Sequence, residues 1–407
     1  MRVLQAISLM LVCLGVFRPG YAGQSPLTPL AEQLLREYPA LKAARAELEQ
    51  VEAESRAASQ PLYNPELELA YEDASALTRT LGLNQSIDWN GKRRARARVG
   101  QENLTAARAR LAVARERILG EFIAELSAYR VTREAAGLGQ RREALLADFL
   151  KLARQRFEAG DLSRQDVDLA RLALSEARMQ AATRSAEASD RAARLAALLA
   201  PPANGWPVLP ALPEQVDMLT AEQLAEQLPL VRAAGAEAAA ARARVQTARR
   251  ERRPDPTLGV WGGREADDPV LGLSLSVPLY VRNTFAAEVD AAAAGAVRSE
   301  QDYLDRRRRA FATLQAATQR YRLIRSALHD WQEEGRRSLT GRIALLQRLW
   351  EAGEINTTDH LVQLKQMLDT ELASVELLGQ AWQAWSDWLR AAGRVQDWLG
   401  VTPAPAR

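Results

Sequence analysis

Two similar heptapeptides decide the fold of this chain: FEAGDLS at residues 157–163 and WEAGEIN at residues 350–356. Each ends a long helix-forming segment with Glu-Ala-Gly, and a glycine at that place permits the left-handed conformation that ends a helix. Each then supplies a serine or an asparagine, which are good N-caps for a following helix. The pattern predicts two helical hairpins with similar turns.

The heptapeptides belong to a longer repeat. Asn64-Pro65-Glu66-Leu67 resembles Asp255-Pro256-Thr257-Leu258, and Leu81-Gly82-Leu83 matches Leu271-Gly272-Leu273, in the same order along the chain. A proline-rich segment separates the copies, and a helix cannot continue through it. The sequence therefore predicts a duplicated fold. Its predicted segments are a signal peptide at 1–22, a first repeat at 23–200, a connector at 201–228, a second repeat at 229–400 and a C-terminal tail at 401–407.

The N-terminus is typical of an export signal. Arg2 precedes a mostly apolar run, and Gly20-Tyr21-Ala22 supplies small residues at the positions that a signal peptidase inspects. Cleavage after Ala22 would remove Cys13, the one cysteine of the chain, and with it any disulfide or thiolate metal site. Lipidation at Cys13 and an uncleaved anchor are the alternatives.

Composition and motifs exclude several classes of function. The 407 residues carry 54 basic and 51 acidic side chains, a balance that argues against a dedicated nucleic-acid binder. The sequence contains no Gly-x-Ser-x-Gly, no Walker loop and no His-Glu-x-x-His. We therefore expect neither an enzyme nor a nucleic-acid partner.

Two segments predict very long helices. Residues 92–159 and 284–352 contain no proline, and apolar residues recur in them at heptad spacing, as at Leu104, Leu111 and Ile118. At 1.5 Å per residue each helix would reach about 100 Å, more than a compact domain of this size allows. Such helices must pack lengthwise as coiled coils.

Between the helices the apolar period changes to two, as in strands. Residues 66–72 alternate polar and apolar side chains, and Leu81, Leu83, Ile87 and Trp89 form a second alternating set. The second repeat has corresponding sets at 258–260 and 271–279. Four strands cannot enclose a lumen, whereas three chains would supply twelve and leave no free edge. Two small hairpins that cap a helical rod are the alternative.

The arrangement resembles that of the TolC-type outer membrane efflux proteins over residues 30–400. The motifs that carry the resemblance are Asn64-Pro65-Glu66-Leu67, Gln85-Ser86-Ile87 with Gly91-Lys92-Arg93, Arg253-Pro254-Asp255-Pro256, Val277-Pro278-Leu279-Tyr280 with Asn283, and the two Glu-Ala-Gly turns. The Gly-Lys-Arg and Pro-Leu segments are most similar to the heavy-metal branch, the cobalt–zinc–cadmium (CzcC-like) resistance channels.

The resemblance implies a fold class that is mainly α with a β-barrel portion. Long antiparallel coiled-coil helices would form an α-barrel, and four strands per chain would contribute to a 12-stranded outer membrane β-barrel in a homotrimer. The α-barrel would be a periplasmic tunnel that docks a periplasmic adaptor, or membrane fusion protein, joined to an inner-membrane pump of the RND type. Outer membrane lipid would surround the strands.

The predicted function is therefore the outer membrane channel of a tripartite efflux system, a passive exit duct for heavy-metal cations. One alternative is a drug-efflux or type I secretion channel of the same fold. A second alternative, from another class, is a periplasmic coiled-coil adaptor. No cofactor is expected, because a passive duct has no chemical step.

The two turns are the predicted docking sites for the adaptor. We expect Leu162 and Ile355 to be exposed apolar residues at the tunnel tip. The alternative is an ordinary helical turn whose glycine and cap act only locally. The predicted docking residues are Gly160, Leu162, Ser163, Gly353, Ile355 and Asn356.

Asp166 and Asp359 are candidates for an aperture gate. The resemblance implies that carboxylates near the constricted tip take part in closing or in cation-sensitive gating, and threefold symmetry would make each a ring of three charges. The alternative is that each acid only completes a capping box at the positive end of its helix. Ile355 stands where some drug-export relatives carry a gate-locking arginine. The resemblance therefore does not identify which contacts would close the gate in this chain.

Trp89, Lys92 and Arg93 are the predicted membrane interface, at the periplasmic edge of the barrel near lipid head groups. The alternative is a solvated basic helix start. His360 beside Asp359, and the distant His329, are too few to form a metal site within one chain, so no metal site is predicted.

Overall fold

The computed structural model describes residues 26–73, 77–216, 226–335 and 341–401. The predicted signal peptide lies outside these ranges, as do residues 217–225 of the connector and residues 402–407 of the tail. The first repeat forms α1 (Thr28–Glu37), α2 (Pro39–Ser59), β1 (Glu66–Asp73), β2 (Leu77–Ser86), α3 (Lys92–Ala159) and α4 (Arg164–Leu198). The second repeat forms α5 (Pro229–Glu251), β3 (Thr257–Glu265), β4 (Asp268–Ser276), α6 (Ala286–Asp330), α7 (Arg342–Glu351), α8 (Thr357–Ala392) and α9 (Val395–Leu399).

The long helix of the first repeat agrees with its prediction, and that of the second does not. α3 has 68 residues without interruption, which corresponds to about 100 Å. The predicted helix at 284–352 is wrong as a single helix: α6 ends at Asp330, a π-helical turn covers Trp331–Gly335, and α7 begins only at Arg342. Gly341 before α7 has φ +81°, a left-handed conformation that a continuous right-handed helix cannot contain. Heptad spacing alone does not reveal such a break.

Glycines let α3 lie close to its neighbours along its length. A Cβ added at Gly100 would lie 3.1 Å from the backbone of Ser55 in α2, and one at Gly139 would lie 3.3 Å from the backbone of Ala181 in α4. α3 also packs against α5 and α8, which belong to the second repeat. The rod is therefore built from both repeats together.

A hydrophobic core lies where the connector crosses the helices. Phe122 of α3, Tyr321 of α6 and Trp385 of α8 are buried there, and Trp206 of the connector packs against them. The Tyr321 hydroxyl donates a hydrogen bond of 2.5 Å to the carbonyl oxygen of Pro213. The connector is thus bound to the middle of the rod.

All four strands form one antiparallel sheet in the order β1-β2-β3-β4. The central pair joins the repeats, since Leu83 of β2 lies opposite Val260 of β3. The two predicted hairpins are therefore halves of a single sheet and not separate caps. In the described ranges, no helix combines the length and the apolar character required to cross a membrane.

Two strands end three residues earlier than the alternation predicted. β2 ends at Ser86 and β4 ends at Ser276, so Ile87, Trp89 and Val277 lie beyond the ladders. Asp88 accounts for the first end, because its carboxylate accepts hydrogen bonds from the backbone N–H groups of Lys92 and Arg93 and so begins α3. Pro278 after the second end has no N–H with which to extend a ladder.

Candidate functional site: the paired turns and the two-faced sheet

The first turn is built from a glycine with a left-handed backbone. α3 ends at Ala159, and Gly160 has φ +88°. The N–H of Asp161 donates to the carbonyl of Arg156 at 2.8 Å and the N–H of Gly160 donates to that of Phe157 at 3.0 Å, the two hydrogen bonds of a Schellman motif. A Cβ at Gly160 would meet no atom within 4 Å, so the conformation, not crowding, requires the glycine.

A capping box follows this turn. The Ser163 hydroxyl accepts from the N–H of Asp166 at 3.3 Å, and the Asp166 carboxylate accepts from the N–H of Ser163 at 3.0 Å and from its hydroxyl at 2.6 Å. The hydroxyl of Ser163 holds the pKa of Asp166 below its usual range, and the hydroxyl of Thr357 adds to this effect. The capping contribution of Asp166 is therefore present, while its action as a gate stays a prediction.

The second turn repeats the first with one chemical change. Gly353 has φ +75°, and the N–H of Glu354 donates to the carbonyl of Leu349 at 2.9 Å. Asn356 caps α8, accepting from the N–H of Asp359 at 2.8 Å, and the Asn356 amide donates to the Asp359 carboxylate at 2.9 Å. Asp359 is exposed, whereas Asp166 is half-buried. The predicted N-caps are confirmed in both repeats.

The two turns of one chain contact each other. The Arg156 guanidinium donates to the carbonyl of Trp350 at 2.9 Å and to that of Glu351, and its Cζ lies 4.8 Å from the centre of a Trp350 ring. Arg156 of the first repeat thus satisfies the last carbonyls of α7 in the second. The Trp350 indole N–H reaches the buried Thr357 hydroxyl at 3.4 Å. Sequence reasoning missed Arg156 because nothing local indicates its partner.

A hydrophobic cluster fills the space behind the turns, and we call it the tip cluster. Its buried members include Phe149, Val167, Trp350 and Leu364, from α3, α4, α7 and α8. Leu162 and Ile355 pack against it and are half-buried. The expectation that these two residues are exposed is therefore wrong for the single chain, because each turn folds its apolar side chain inward and leaves its polar caps outside. The predicted docking surface then consists mainly of Gly160, Ser163, Gly353 and Asn356.

His360 lies inside the tip cluster. Its ring stacks on Phe149 with centres 4.8 Å apart, and the side chain is 3% exposed. Burial lowers the pKa of His360, although a hydrogen bond with the backbone of Leu346 and the charge of Glu351 act in the opposite direction. Its Nδ1 has no hydrogen-bond partner in the described part of the chain. The structure therefore favours a neutral packed imidazole.

The sheet at the other end of the rod has one apolar face. Directly opposed residues of neighbouring strands share a face, so the row Leu67, Leu83, Val260, Leu273 lies on one side. Leu69, Leu81 and Leu271 form the next row on the same side. Leu271 and Leu273 are 82% and 84% exposed. Side chains of this kind favour an apolar surrounding that this chain does not itself provide.

The opposite face of the sheet is mostly polar and carries acids, with Trp261 and Val270 as its large apolar members. Its residues include Glu68, Asn84, Thr80 and Ser274, and the Asn84 amide donates to the Glu68 carboxylate at 2.7 Å. The acids on this face are Glu66, Glu68, Glu72, Glu265 and Asp268. Among the strand residues that the register assigns to it, no lysine or arginine occurs.

The joint between sheet and rod contains a buried ion pair. The Lys92 ammonium lies 3.0 Å from the Asp255 carboxylate, and both side chains are less than one tenth exposed. Lys92 therefore does not reach lipid head groups, and its predicted place at the membrane interface is corrected, because the ammonium enters the joint instead. Trp89 and Arg93 are exposed, and their interface role stays a prediction.

Further polar groups complete this joint. The Tyr63 hydroxyl donates to Asp255 at 2.8 Å and the Asn90 amide donates at 3.1 Å. Burial tends to raise the pKa of Asp255, but the hydrogen bonds from Lys92, Tyr63 and Asn90 outweigh it and hold this pKa below its usual range. Burial and the bond to Asp255 raise the pKa of Tyr63 to about 12. Tyr63, which directly precedes the Asn-Pro motif of the first repeat, thus meets Asp255 of the Asp-Pro motif of the second.

A metal centre within one chain receives no support from the geometry. No group of three or more His, Cys, Asp or Glu side chains could hold an ion in the ranges that the structure describes. Asp359 is exposed and His360 is buried, so the two neighbours in sequence do not present their side chains together.

Known proteins resemble this chain in sequence. A family model described as outer membrane efflux protein matches residues 220–394. The chain is 26% identical over 341 residues to the cobalt-zinc-cadmium resistance protein CzcC of Cupriavidus metallidurans, covering 81% of each chain. It is 28% identical over 294 residues to the nickel-cobalt-cadmium resistance protein NccC of Alcaligenes xylosoxydans xylosoxydans, covering 68% of this chain and 66% of NccC.

The fold also resembles solved structures. The outer-membrane channel OprN superposes with a TM-score of 0.78 at 17% identity, over 90% of this chain and 89% of OprN. The predicted resemblance to outer membrane efflux proteins is confirmed, as is the mainly helical fold with four strands per chain.

Proposed function

We propose that this chain, whose residues 220–394 match the outer membrane efflux protein family model, is a passive channel that carries heavy-metal cations across the outer membrane. The observation that carries the proposal is the two-faced sheet: one face is apolar and exposed, the other is polar, and both faces run without a break across the two repeats. Lipid against the first face and water against the second satisfy both.

The sheet edges support a trimer. β1 and β4 each lack a neighbour on one side within the chain, and both carry leucines on the same apolar face. Pairing β4 of one protomer with β1 of the next therefore continues the apolar face outward and removes both edges. Three copies make a ring of twelve strands around a water-filled lumen.

The rod then extends into the periplasm. Its far end, the paired turns, exposes polar caps and the two left-handed glycines, and this is the surface on which we place a periplasmic adaptor. The adaptor in turn connects the channel to an inner-membrane pump, so that transport energy comes from the pump and the channel needs no cofactor.

The polar face supports cations as cargo. It presents five acids and, among the described strand residues, no base, so a ring of three such faces gives a negative lumen that attracts cations. The names of CzcC and NccC, which are cobalt-zinc-cadmium and nickel-cobalt-cadmium resistance proteins, support heavy metals as the cations.

A deletion strain complemented with the gene tests the function. We expect the deletion strain to lose tolerance of zinc, cobalt, cadmium or nickel, and the wild-type gene to restore it. We also expect the protein to occur as a trimer in the outer membrane fraction. If deletion raises sensitivity to drugs and leaves metal tolerance unchanged, the cargo is a drug and not a metal, while the assignment as a channel still holds. A soluble monomer would contradict the channel itself.

Single-channel currents in planar bilayers test the lumen and the gate separately. Glu68→Gln with Glu265→Gln should reduce cation selectivity, since both carboxylates lie on the polar face of the sheet. Asp359→Asn should raise conductance or weaken block by divalent cations if a ring of these acids narrows the tip. Asp166→Asn is the comparison, and unchanged currents in both gate variants would leave these acids only their capping contribution.

A further inference from the structure

The rim of the apolar face, at the end of the sheet where the hairpins turn, is basic. The register places Tyr71 opposite Arg79, Arg79 opposite Arg264, and Arg264 opposite Pro269, so these four residues form one row across the four strands. Each side chain of the row belongs to the apolar face, two residues beyond Leu69, Leu81 and Leu271. We call Arg79 and Arg264 the rim arginines.

The rim arginines lack acidic partners. In the ranges that the structure describes, no carboxylate lies within ion-pair distance of either guanidinium, and both side chains are exposed. Asp73, opposite Leu77, is the acid of the apolar face nearest to the row, and Asp267 lies in the turn between β3 and β4, but neither carboxylate is within ion-pair distance of Arg79 or Arg264. Like charges directly opposite each other on neighbouring strands are destabilising, so an anion bound between the two guanidinium groups would relieve their repulsion.

Charge at this level is sorted by face. The corresponding row of the polar face contains Glu72, Glu265 and Asp268, opposite one another through Thr78. Both bases of the strands lie on the lipid side, and every strand acid except Asp73, which stands opposite Leu77 on the apolar face, lies on the lumen side. The acids remain available to cations, and the arginines remain available to anions.

The position of the row identifies the anion. The row lies at the hairpin end of the sheet; Leu275 and Pro269 are six residues apart on β4, about 20 Å along the strand, which a tilt of about 40° reduces to about 15 Å of an apolar band about 25 Å tall. Tyr71 adds an amphipathic ring, with Arg79 Cζ 5.7 Å from its centre, as is typical at the level of head groups. A guanidinium fork matches phosphate oxygens in geometry and charge.

We propose that the rim arginines and Tyr71 bind the phosphate groups of phosphorylated lipid head groups in the outer leaflet. This inference rests on the proposed function, because it requires the apolar face to lie in a membrane. A trimer would present three such sites around its rim, which fixes the depth of the channel in the membrane.

Native mass spectrometry of purified trimers tests the site, with diphosphoryl lipid A and enzymatically dephosphorylated lipid A as probes. Wild-type trimers should prefer the phosphorylated lipid about tenfold, a ratio expected from charge-assisted hydrogen bonds to one phosphate. Arg79→Gln with Arg264→Gln should abolish the preference. The control, Arg154→Gln with Arg308→Gln, removes the same charge from exposed helical positions remote from the sheet and should keep it.

Two outcomes would overturn the site while leaving the channel intact. One is a wild-type preference for phosphorylated lipid that survives in the rim variant. The other is competition by millimolar inorganic phosphate that displaces the lipid from wild-type trimers, which would assign the site to free phosphate. Absence of trimers in the wild-type protein would instead contradict the proposed function.

If the double glutamine variant does not assemble, Arg79→Lys with Arg264→Lys replaces it. Lysine keeps the charge and loses the guanidinium fork, so we expect intact trimers with a reduced preference. An unchanged preference in assembled lysine trimers would exclude recognition through the fork.

Discussion

The two ends of α3 differ in where they keep their apolar side chains. At the sheet end, Leu271 and Leu273 extend outward and are more than four-fifths exposed. At the turn end, Leu162 and Ile355 fold inward on the tip cluster, and polar caps form the outer surface. Each end is built from elements that occur once in each repeat, and the two kinds of element suit different environments.

The comparison shows that one end is complete in water and the other is not. The helix ends at the turns satisfy their backbone groups through Gly160, Gly353 and the caps that follow, within a single chain. The sheet has two free edges and an exposed apolar face, which only further chains and lipid can cover. The buried pair of Lys92 and Asp255 lies at the sheet end and joins the sheet to the rod.

Breaking that joint should have the largest effect. Lys92→Met leaves the Asp255 carboxylate buried without its cation, and we expect a loss of about 3–5 kcal/mol in the free energy of unfolding. The matched control is Arg96→Met one turn along α3, which breaks the exposed pair with Glu251 and should cost about 0–1 kcal/mol. Denaturant titration in detergent measures both. Adding Asp255→Asn to Lys92→Met should recover part of the loss, and no recovery would contradict the burial argument.

A charge on the apolar face should come next. Leu273→Arg puts a guanidinium where we place lipid and should destabilise the inserted trimer by about 2–4 kcal/mol. Ser274→Arg, the adjacent residue on the polar face, should be tolerated. The fraction of each variant that runs as a heat-resistant trimer on gels measures the difference between them. Equal loss in both variants would mean that the two faces do not meet lipid and water respectively.

The turn end should respond to backbone strain alone. Gly160→Ala and Gly353→Ala force alanine to a positive φ and should each cost about 1–2 kcal/mol, because the added methyl group has open space in both turns. Gly295→Ala in the interior of α6 adds the same methyl in open space at a helical φ and should be neutral or slightly stabilising. Thermal unfolding in detergent measures all three. A similar cost at Gly295 would remove the conformational explanation.

The smallest expected effect is a pH dependence of stability that arises from His360 in the tip cluster. Burial lowers the pKa of His360, so the unfolded chain binds its proton more readily than the folded chain. Stability should therefore fall as pH decreases through the usual histidine value near 6.5, and the loss should level off below the folded pKa. Hydrogen exchange of the tip between pH 7.5 and 5.5 should show this in the wild type and not in His360→Phe.

The only other histidine provides the control for this pH effect. His329 is exposed near the end of α6, so His329→Gln should keep the full pH dependence. If His329→Gln removed the dependence, the tip cluster would not be its origin.

Much of the fold was predictable because it depends on neighbours in sequence. Alternation along residues 66–72 predicts a strand with two faces, and the Glu-Ala-Gly turns with their caps predict the ends of α3 and α7. These signals act within about five residues, the range over which helices and turns form their hydrogen bonds. The prediction of a single helix at 284–352 failed because this segment contains no proline to mark a break, and the sequence does not indicate the left-handed backbone of Gly341.

Much of the site was not predictable, because it is made by residues from different repeats. Sequence alone determined the duplication, the helical hairpins and the two-faced character of each strand. Only the tertiary structure decided that β2 pairs with β3, that Lys92 is buried against Asp255, and that Arg156 reaches the end of α7. The physical reason is that local propensity and periodicity choose an element, whereas the partner of an ionic or strand-edge group depends on which distant segment packing brings beside it.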